Sequence, residues 1–233
     1  MKDPPPIDLA ASAANAPVGA GRRAARPTRE RILDTSLAMF NAHGEPNVTT
    51  NHIADETGIS PGNLYYHFRS KDDIVERLFG AYENRIDDAL LLPTARNPNI
   101  EDLWLQLHLL FETIGDYRFL HRDLVDILAR NRRIRTRFAR ILDRATVSAR
   151  TLLRQFVADG VLRLAPAELD VLVENAMALV TFWVGYDSVR NNHYDGSIGD
   201  PRAAMRRVIA LLAPHLAPTE RDHLTALATA YAD

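Results

Sequence analysis

Between Thr49 and Lys71 the chain gathers small, hydroxyl-bearing and hydrogen-bonding residues around one short predicted helix. Ser60-Pro61 reads as an N-cap followed by proline at the first helical position, where its missing N–H costs nothing. Ser60, Pro61, Gly62, Asn63, Tyr66 and His67 then form the outward side of that helix, and Leu64 and Phe68 anchor the inward side. Such a face fits a groove in nucleic acid. Thr49 and Thr50 stand just before the preceding helix and Lys71 just past this one, where hydroxyls, backbone N–H groups and an ammonium can clamp phosphates.

Two short helices joined by a tight turn make sense when the second must project while the first braces it, which is helix-turn-helix logic. Ile53 and Ala54 face the core, with Ala54 small enough for the helices to cross closely; Gly58 supplies the turn and Ile59 plugs the angle. Before them, Thr28 reads as the cap of a helix carrying Ile32, Leu33, Leu37 and Phe40 at three- and four-residue spacing. After them, Ser70 caps a fourth helix with Asp72 and Asp73 in its first turn, running through Ile74, Leu78, Ala81 and Ile86 to about Leu92.

The run TTNHIADETGISPGNLYYHFRSKDDIV closely resembles the DNA-binding signature of the TetR (tetracycline repressor) family at Ile53-Ala54, Gly58-Ile59-Ser60, Gly62, Leu64-Tyr65-Tyr66-His67-Phe68 and Lys71. The resemblance covers roughly Thr28 to Leu78; beyond it the likeness is one of helix number and length. It implies that Ser60 to Asn63 lie at the major-groove end of a recognition helix, that Tyr65 and Tyr66 sit near the backbone and base edges, and that Thr50, His67 and Lys71 meet phosphates. It also implies a homodimer joined by the last long helices in a four-helix bundle, and a ligand cavity among the helices after Pro98.

The remaining pattern is helical. Pro93 to Pro98 forms a boundary, Asn99 with Asp102 opens a helix bearing Trp104, Leu107 and Phe111, and Asn131 marks a break before a long amphipathic helix ending at Gly160. Pro166, Pro201 and Thr219 start further helices, with a polar loop from Asn191 to Pro201. Nothing alternates with period two, so the fold class is all-α: a tail at 1–26, a helix-turn-helix domain at 27–72, and a helical ligand-binding and dimerisation domain at 73–233, its 73–92 segment connecting the two.

Composition bounds the function. The 233 residues are 46% hydrophobic and carry a formal charge of −2, so no overall basic field draws nucleic acid and recognition must be local. There is no cysteine, which excludes disulfides and thiolate sites, and no stretch approaches the ~20 apolar residues that cross a bilayer. No catalytic or nucleotide motif is present, and Asp187, His193 and Asp195 lack metal-ligand spacing. The sequence therefore predicts no enzyme, no cofactor and a cytoplasmic protein. Arg22, Arg23, Arg26 and Arg29 suit either an arm on DNA or a solvated linker. Arg133, Arg137, Arg140 and Arg144 make a ridge that suits an acidic ligand or ion pairs with a neighbouring helix. Trp104, His108 and Phe111 on one helix, with Phe182, Trp183 and Tyr186 on another, suit either a ligand pocket or core packing. The expected partners are double-stranded operator DNA, a small-molecule inducer and a second copy of the chain. The expected mechanism is a repressor released when ligand binding moves the fourth helix, with a ligand-independent DNA protein or an activator as alternatives.

Overall fold

The computed structural model describes residues 26–191 and 201–230, with the backbone alone at 201, 202 and 230. The expected tail, Arg22 and Arg23, and the loop carrying His193 and Asp195 lie outside these residues. The helices are α1 (Thr28–His43), α2 (Thr50–Thr57), α3 (Pro61–His67), α4 (Lys71–Ala89), α5 (Ile100–Asp116), α6 (Arg118–Arg122), α7 (Leu124–Arg130), α8 (Arg132–Ala158), α9 (Pro166–Asn191), α10 (Pro201–Leu212) and α11 (Pro218–Ala230), with a 3₁₀ turn at Ala213–His215. Among the described residues there is no strand, only an isolated antiparallel bridge between Leu162 and Leu216.

Local chemistry sets most helix ends. Side-chain oxygens of Thr49, Ser60, Ser70, Asn99 and Asn131 each accept a backbone N–H three residues on, satisfying donors that a helix start leaves open. Gly58 and Gly160 follow α2 and α8 with φ of 71° and 74°, a region costly for any residue with a Cβ. Two expectations need correction. Thr28 is the first helical residue rather than the cap, and Pro27 ahead of it makes no side-chain cap bond. The fourth helix stops at Ala89, because Leu90 through Leu92 turn away toward Pro93.

Buried side chains form two clusters. The first joins Ile32 and Phe40 of α1, Ile53 and Leu64 of the helix-turn-helix, and one face of α4 to α6, α7 and the first half of α8. The second comprises most of α5, the latter half of α8, and α9, α10 and α11. α8 therefore threads both, contributing Ile134, Phe138 and Ile141 to one and Leu152, Leu153 and Phe156 to the other. Ala81, assigned to the apolar stripe from sequence, is exposed; Phe79 and Tyr82 take the buried positions on either side of it.

The head is also tied to the body by polar contacts. Asn41 at the end of α1 donates to the Asp116 carbonyl at 2.7 Å and accepts from the Phe119 N–H at 3.1 Å. Arg122 donates to the carbonyls of Phe40 and Asn41 in the last turn of α1, adding to the Gly44 N–H that Phe40 already accepts. Along α8 three of the four ridge arginines pair with α4, Arg133 with Glu76, Arg137 with Glu83, and Arg144 with Glu83 and Asp87, while Arg140 is exposed.

Candidate nucleic-acid interface

Each residue of the helix-turn-helix face is held by a local device. Thr49 Oγ1 accepts the His52 N–H at 3.2 Å while His52 Nδ1 accepts the Thr49 N–H, a reciprocal cap that orients the start of α2. The Gly58 N–H reaches back to Ala54 and Asp55, and the Ile59 N–H to Ala54, so the turn closes on itself before Ser60. Ser60 Oγ then accepts the Asn63 N–H at 3.2 Å and starts α3. Arg31 of α1 donates to the Thr57 carbonyl at 2.5 Å and fastens the end of α2 from behind.

This scaffold buries Ile53, Ala54, Leu64 and Phe68 and turns Ser60, Pro61, Gly62, Asn63, Tyr65 and Tyr66 outward. Tyr66 is 86% exposed, far more than an aromatic ring normally is without a partner. Nothing crowds the missing Cβ of Gly62 beyond a 4.0 Å approach to Ser60 Oγ, so the backbone there is open to close contact. Thr50 and Tyr65 are brought together, hydroxyl to hydroxyl at 3.1 Å, which links the first turn of α2 to the middle of α3. His67 is half-buried and packs edge-on against Tyr66.

Lys71 departs from expectation. Its ammonium points inward, donating to the carbonyls of Glu45 and Val48 at 2.9 and 3.0 Å and lying 3.1 Å from the Glu45 carboxylate. Glu45 has no exposed surface and also pairs with Arg130 of α7, while its N–H donates to Asp123 at 2.8 Å. A charge so fully engaged is not available as a free phosphate clamp. Burial raises the Asp123 carboxyl above its ordinary range, so this cluster is held against a real desolvation cost. Sequence reading missed Glu45: a glutamate next to Pro46 in a short loop looks like a solvated turn residue, and nothing local signals its distant partners. It also missed Arg69, exposed between α3 and α4 with no side-chain partner among the described residues. Arg26 and Arg29 rest on the head, Arg26 paired with Asp34 and Arg29 over the Phe68 ring.

A family model described as bacterial regulatory proteins of the tetR family matches residues 32–78, and one described as a bacterial transcriptional repressor matches residues 81–224. The chain belongs to the TetR family. A TetR-family regulator from Marinobacter aquaeolei VT8 has the same fold with a TM-score of 0.76 and 33% identity, over 88% of this chain and 98% of that one. The regulator TtgW of Pseudomonas putida is 32% identical over 63 residues, 27% of this chain and 47% of its own. AcrR of Shigella flexneri is 28% identical over 110 residues, 46% and 50% respectively. The matched part spans about half the length of these two relatives. TetR-family members are transcriptional regulators rather than enzymes, in keeping with a chain that shows no catalytic motif.

In this TetR-family chain the six aromatic and histidine residues expected around a ligand form smaller groups rather than one pocket, with Trp183 in ring contact with Tyr186 at 5.4 Å. Trp104 is buried in the second cluster and stacks on His108 with centroids 5.0 Å apart. Phe111 and Trp183 border a void of about 20 Å³ together with Arg118 and Asp187. Phe182 and Tyr186 are 55% and 52% exposed, on an open outer groove of α9. The reason is helical geometry: with Trp183 turned inward, its neighbour Phe182 lies about 100° around the axis. A larger void, about 50 Å³, opens instead between α5, α8, α9 and α10, lined by Leu103, Leu107, Leu110, Leu153, Met177 and Val208 with Gln106 its one polar side chain of that helix. None of the six expected residues lines it. Asp187 lies in no cluster of three metal-ligating side chains among the described residues.

A buried polar pair spans both halves. The Thr181 carbonyl can only accept, so His121 Nδ1, 3.1 Å away, carries the hydrogen; Nε2 then accepts from the Tyr82 hydroxyl at 2.9 Å. Burial pushes the His121 imidazole down to about 4 and raises the Tyr82 phenol, so both stay neutral and the chain of bonds keeps one direction.

Proposed function

We propose that this chain is a ligand-responsive transcriptional repressor that binds palindromic operator DNA as a homodimer. The observation that carries it is α3 itself: a short helix whose back is sealed by Leu64 and Phe68 and whose front presents Ser60, Pro61, Gly62, Asn63, Tyr65 and Tyr66 to solvent. Asn63 and Tyr66 reach base edges, while Thr49, Thr50, His67 and Arg69 border the phosphates. Lys71 acts beneath them as a structural strut. The working division runs from a head at 27–72, through α4 as connector, to a ligand and dimer region beyond.

Dimerisation is supported by α9. Val171, Asn175, Ala178, Phe182, Tyr186 and Val189 recur at spacings of four, three, four, four and three, and all are exposed. A helix apolar on its outer as well as its inner side needs a partner for the outer one. Two heads one duplex turn apart, about 34 to 36 Å, match a palindromic site half for half. Selection of bound duplexes from a random pool tests the reading. Enrichment of an inverted repeat is expected, and loss of both repeat and dimer in Phe182→Glu, followed by analytical ultracentrifugation; an unenriched pool would sink it.

A further inference from the structure

We infer that the void between α5, α8, α9 and α10 takes an uncharged, largely apolar molecule bearing one hydrogen-bond donor, recognised by Gln106 and reported to α4 through Ser148. The release step rests on the regulator reading above; the ligand class does not. Apolar side chains dominate the void and no ionic group faces it. A charged ligand would lose its hydration there without a counter-ion, a cost far larger than any contact could return.

Gln106 is buried, and its orientation follows from its neighbours. Ser148 Oγ has a single hydrogen, which goes to the Leu90 carbonyl at 3.0 Å; a carbonyl can only accept. Toward Gln106 the hydroxyl oxygen must therefore accept, so the contact at 3.1 Å comes from the Gln106 NH₂ group. The carboxamide oxygen is left as the acceptor, with no hydrogen-bond partner among the described residues. A hydroxyl or N–H on the ligand satisfies it.

The same three groups lead out of the void. Leu90 follows the last turn of α4, and its carbonyl is one of those a helix end leaves open; Ser148 satisfies it. Leu90 also walls the void from an outer groove lined by Leu91 and Val147. A ligand that turns the Gln106 carboxamide toward itself draws the NH₂ from Ser148, which leaves the Ser148 hydroxyl free to rotate off the Leu90 carbonyl and so loosens the end of the helix whose start carries the DNA-binding head. Movement of Leu90 at that step opens the route from the outer groove.

The test uses the full chain and three probes of one shape, 2-naphthol, naphthalene and 2-naphthoate, each bulkier than the void as it stands, so that binding also requires Leu90 and the flexible Met177 side chain to give way. Calorimetric titration should show 2-naphthol binding about tenfold tighter than naphthalene, and naphthoate not binding. Gln106→Leu should bring the two neutral probes within twofold of each other, and Ala149→Phe, which fills the void from α8, should displace both. On a duplex selected from a random pool, 2-naphthol should weaken binding at least about fivefold, and Ser148→Ala should remove that effect while keeping the preference for naphthol. Equal affinities in the wild type, a naphthol preference that survives Gln106→Leu, tighter binding of naphthoate, binding unaltered by Ala149→Phe, or no binding of any probe would each overturn the ligand assignment. Release that persists in Ser148→Ala would overturn the relay. A protein that takes the probes as expected but binds no duplex would sink the regulator reading, leaving the ligand class standing.

Discussion

The two buried clusters differ in what holds them. Around the head, polar groups close every junction: Glu45 lies between Lys71 and Arg130, Arg122 and Asn41 fasten the end of α1, and His121 joins Tyr82 to Thr181. In the second cluster the contacts are apolar, aliphatic with four aromatic rings, and space remains between α5, α8, α9 and α10. Hydrogen bonds and buried ion pairs are directional, so they fix an arrangement; apolar packing is non-directional and tolerates rearrangement. One half is built to keep a geometry and the other to admit a change.

The largest effect that would break this contrast belongs to Glu45. Glu45→Ala leaves Lys71 and Arg130 facing each other without their anion, and should cost about 3 kcal/mol in urea unfolding, since removal of one partner of a buried pair is worth about 3–5 kcal/mol and these two cations keep some solvent. A cost below about 1 kcal/mol would show that the clamp does not hold the head. Next comes pH. The His121 imidazole titrates near 4 in the fold against 6.5 ordinarily, so the unfolded chain takes up a proton that the folded one refuses. Stability from this group is complete above pH 6.5 and falls as pH drops from 6.5 to 4, by about 3 kcal/mol at most. His121→Gln should flatten wild-type stability across that window, as followed by denaturant midpoints from pH 7 to pH 4.

A smaller effect sharpens the contrast directly. Ala54→Val and Ala149→Val add the same two carbons at helical positions, one where α2 crosses α3 and one beside the void. The first should destabilise by about 1–3 kcal/mol through overpacking, and the second by less than about 1 kcal/mol. Equal thermal shifts would remove the distinction between a filled and a roomy half. The smallest change in stability belongs to Arg69→Ala, which should leave the melting temperature unmoved and flatten the salt dependence of DNA binding by roughly one unit of slope. Lys71→Met should do the reverse, lowering stability with the slope kept.

Much of the head was legible in the residues. The caps at Ser60 and Ser70, the helix start after Thr49 and the turn at Gly58 depend on partners three or four residues away, so local order is enough to find them. The outward face of α3 follows from the same periodicity that buries Leu64 and Phe68. Of the candidate ligand residues, by contrast, sequence reading joined the rings of α5 with those of α9 around one pocket, whereas the fold turns Phe182 and Tyr186 to the outside. It passed over Gln106, a lone glutamine among leucines that looks like any helical polar residue.

What the sequence determined by itself is most of the helices, though not the division of 118–130 into α6 and α7, and which side of the little helix after Ser60 meets solvent, because hydrogen bonds within a turn and a 3.6-residue period are short-range facts. The tertiary structure decided the rest. Lys71 was claimed by carbonyls 23 and 26 residues away, Arg133, Arg137 and Arg144 of α8 by acids 54 to 61 residues earlier on α4, and Gln106 by a serine 42 residues on. Those partners lie on different helices, and only the packing of one helix on another brings the charges within reach.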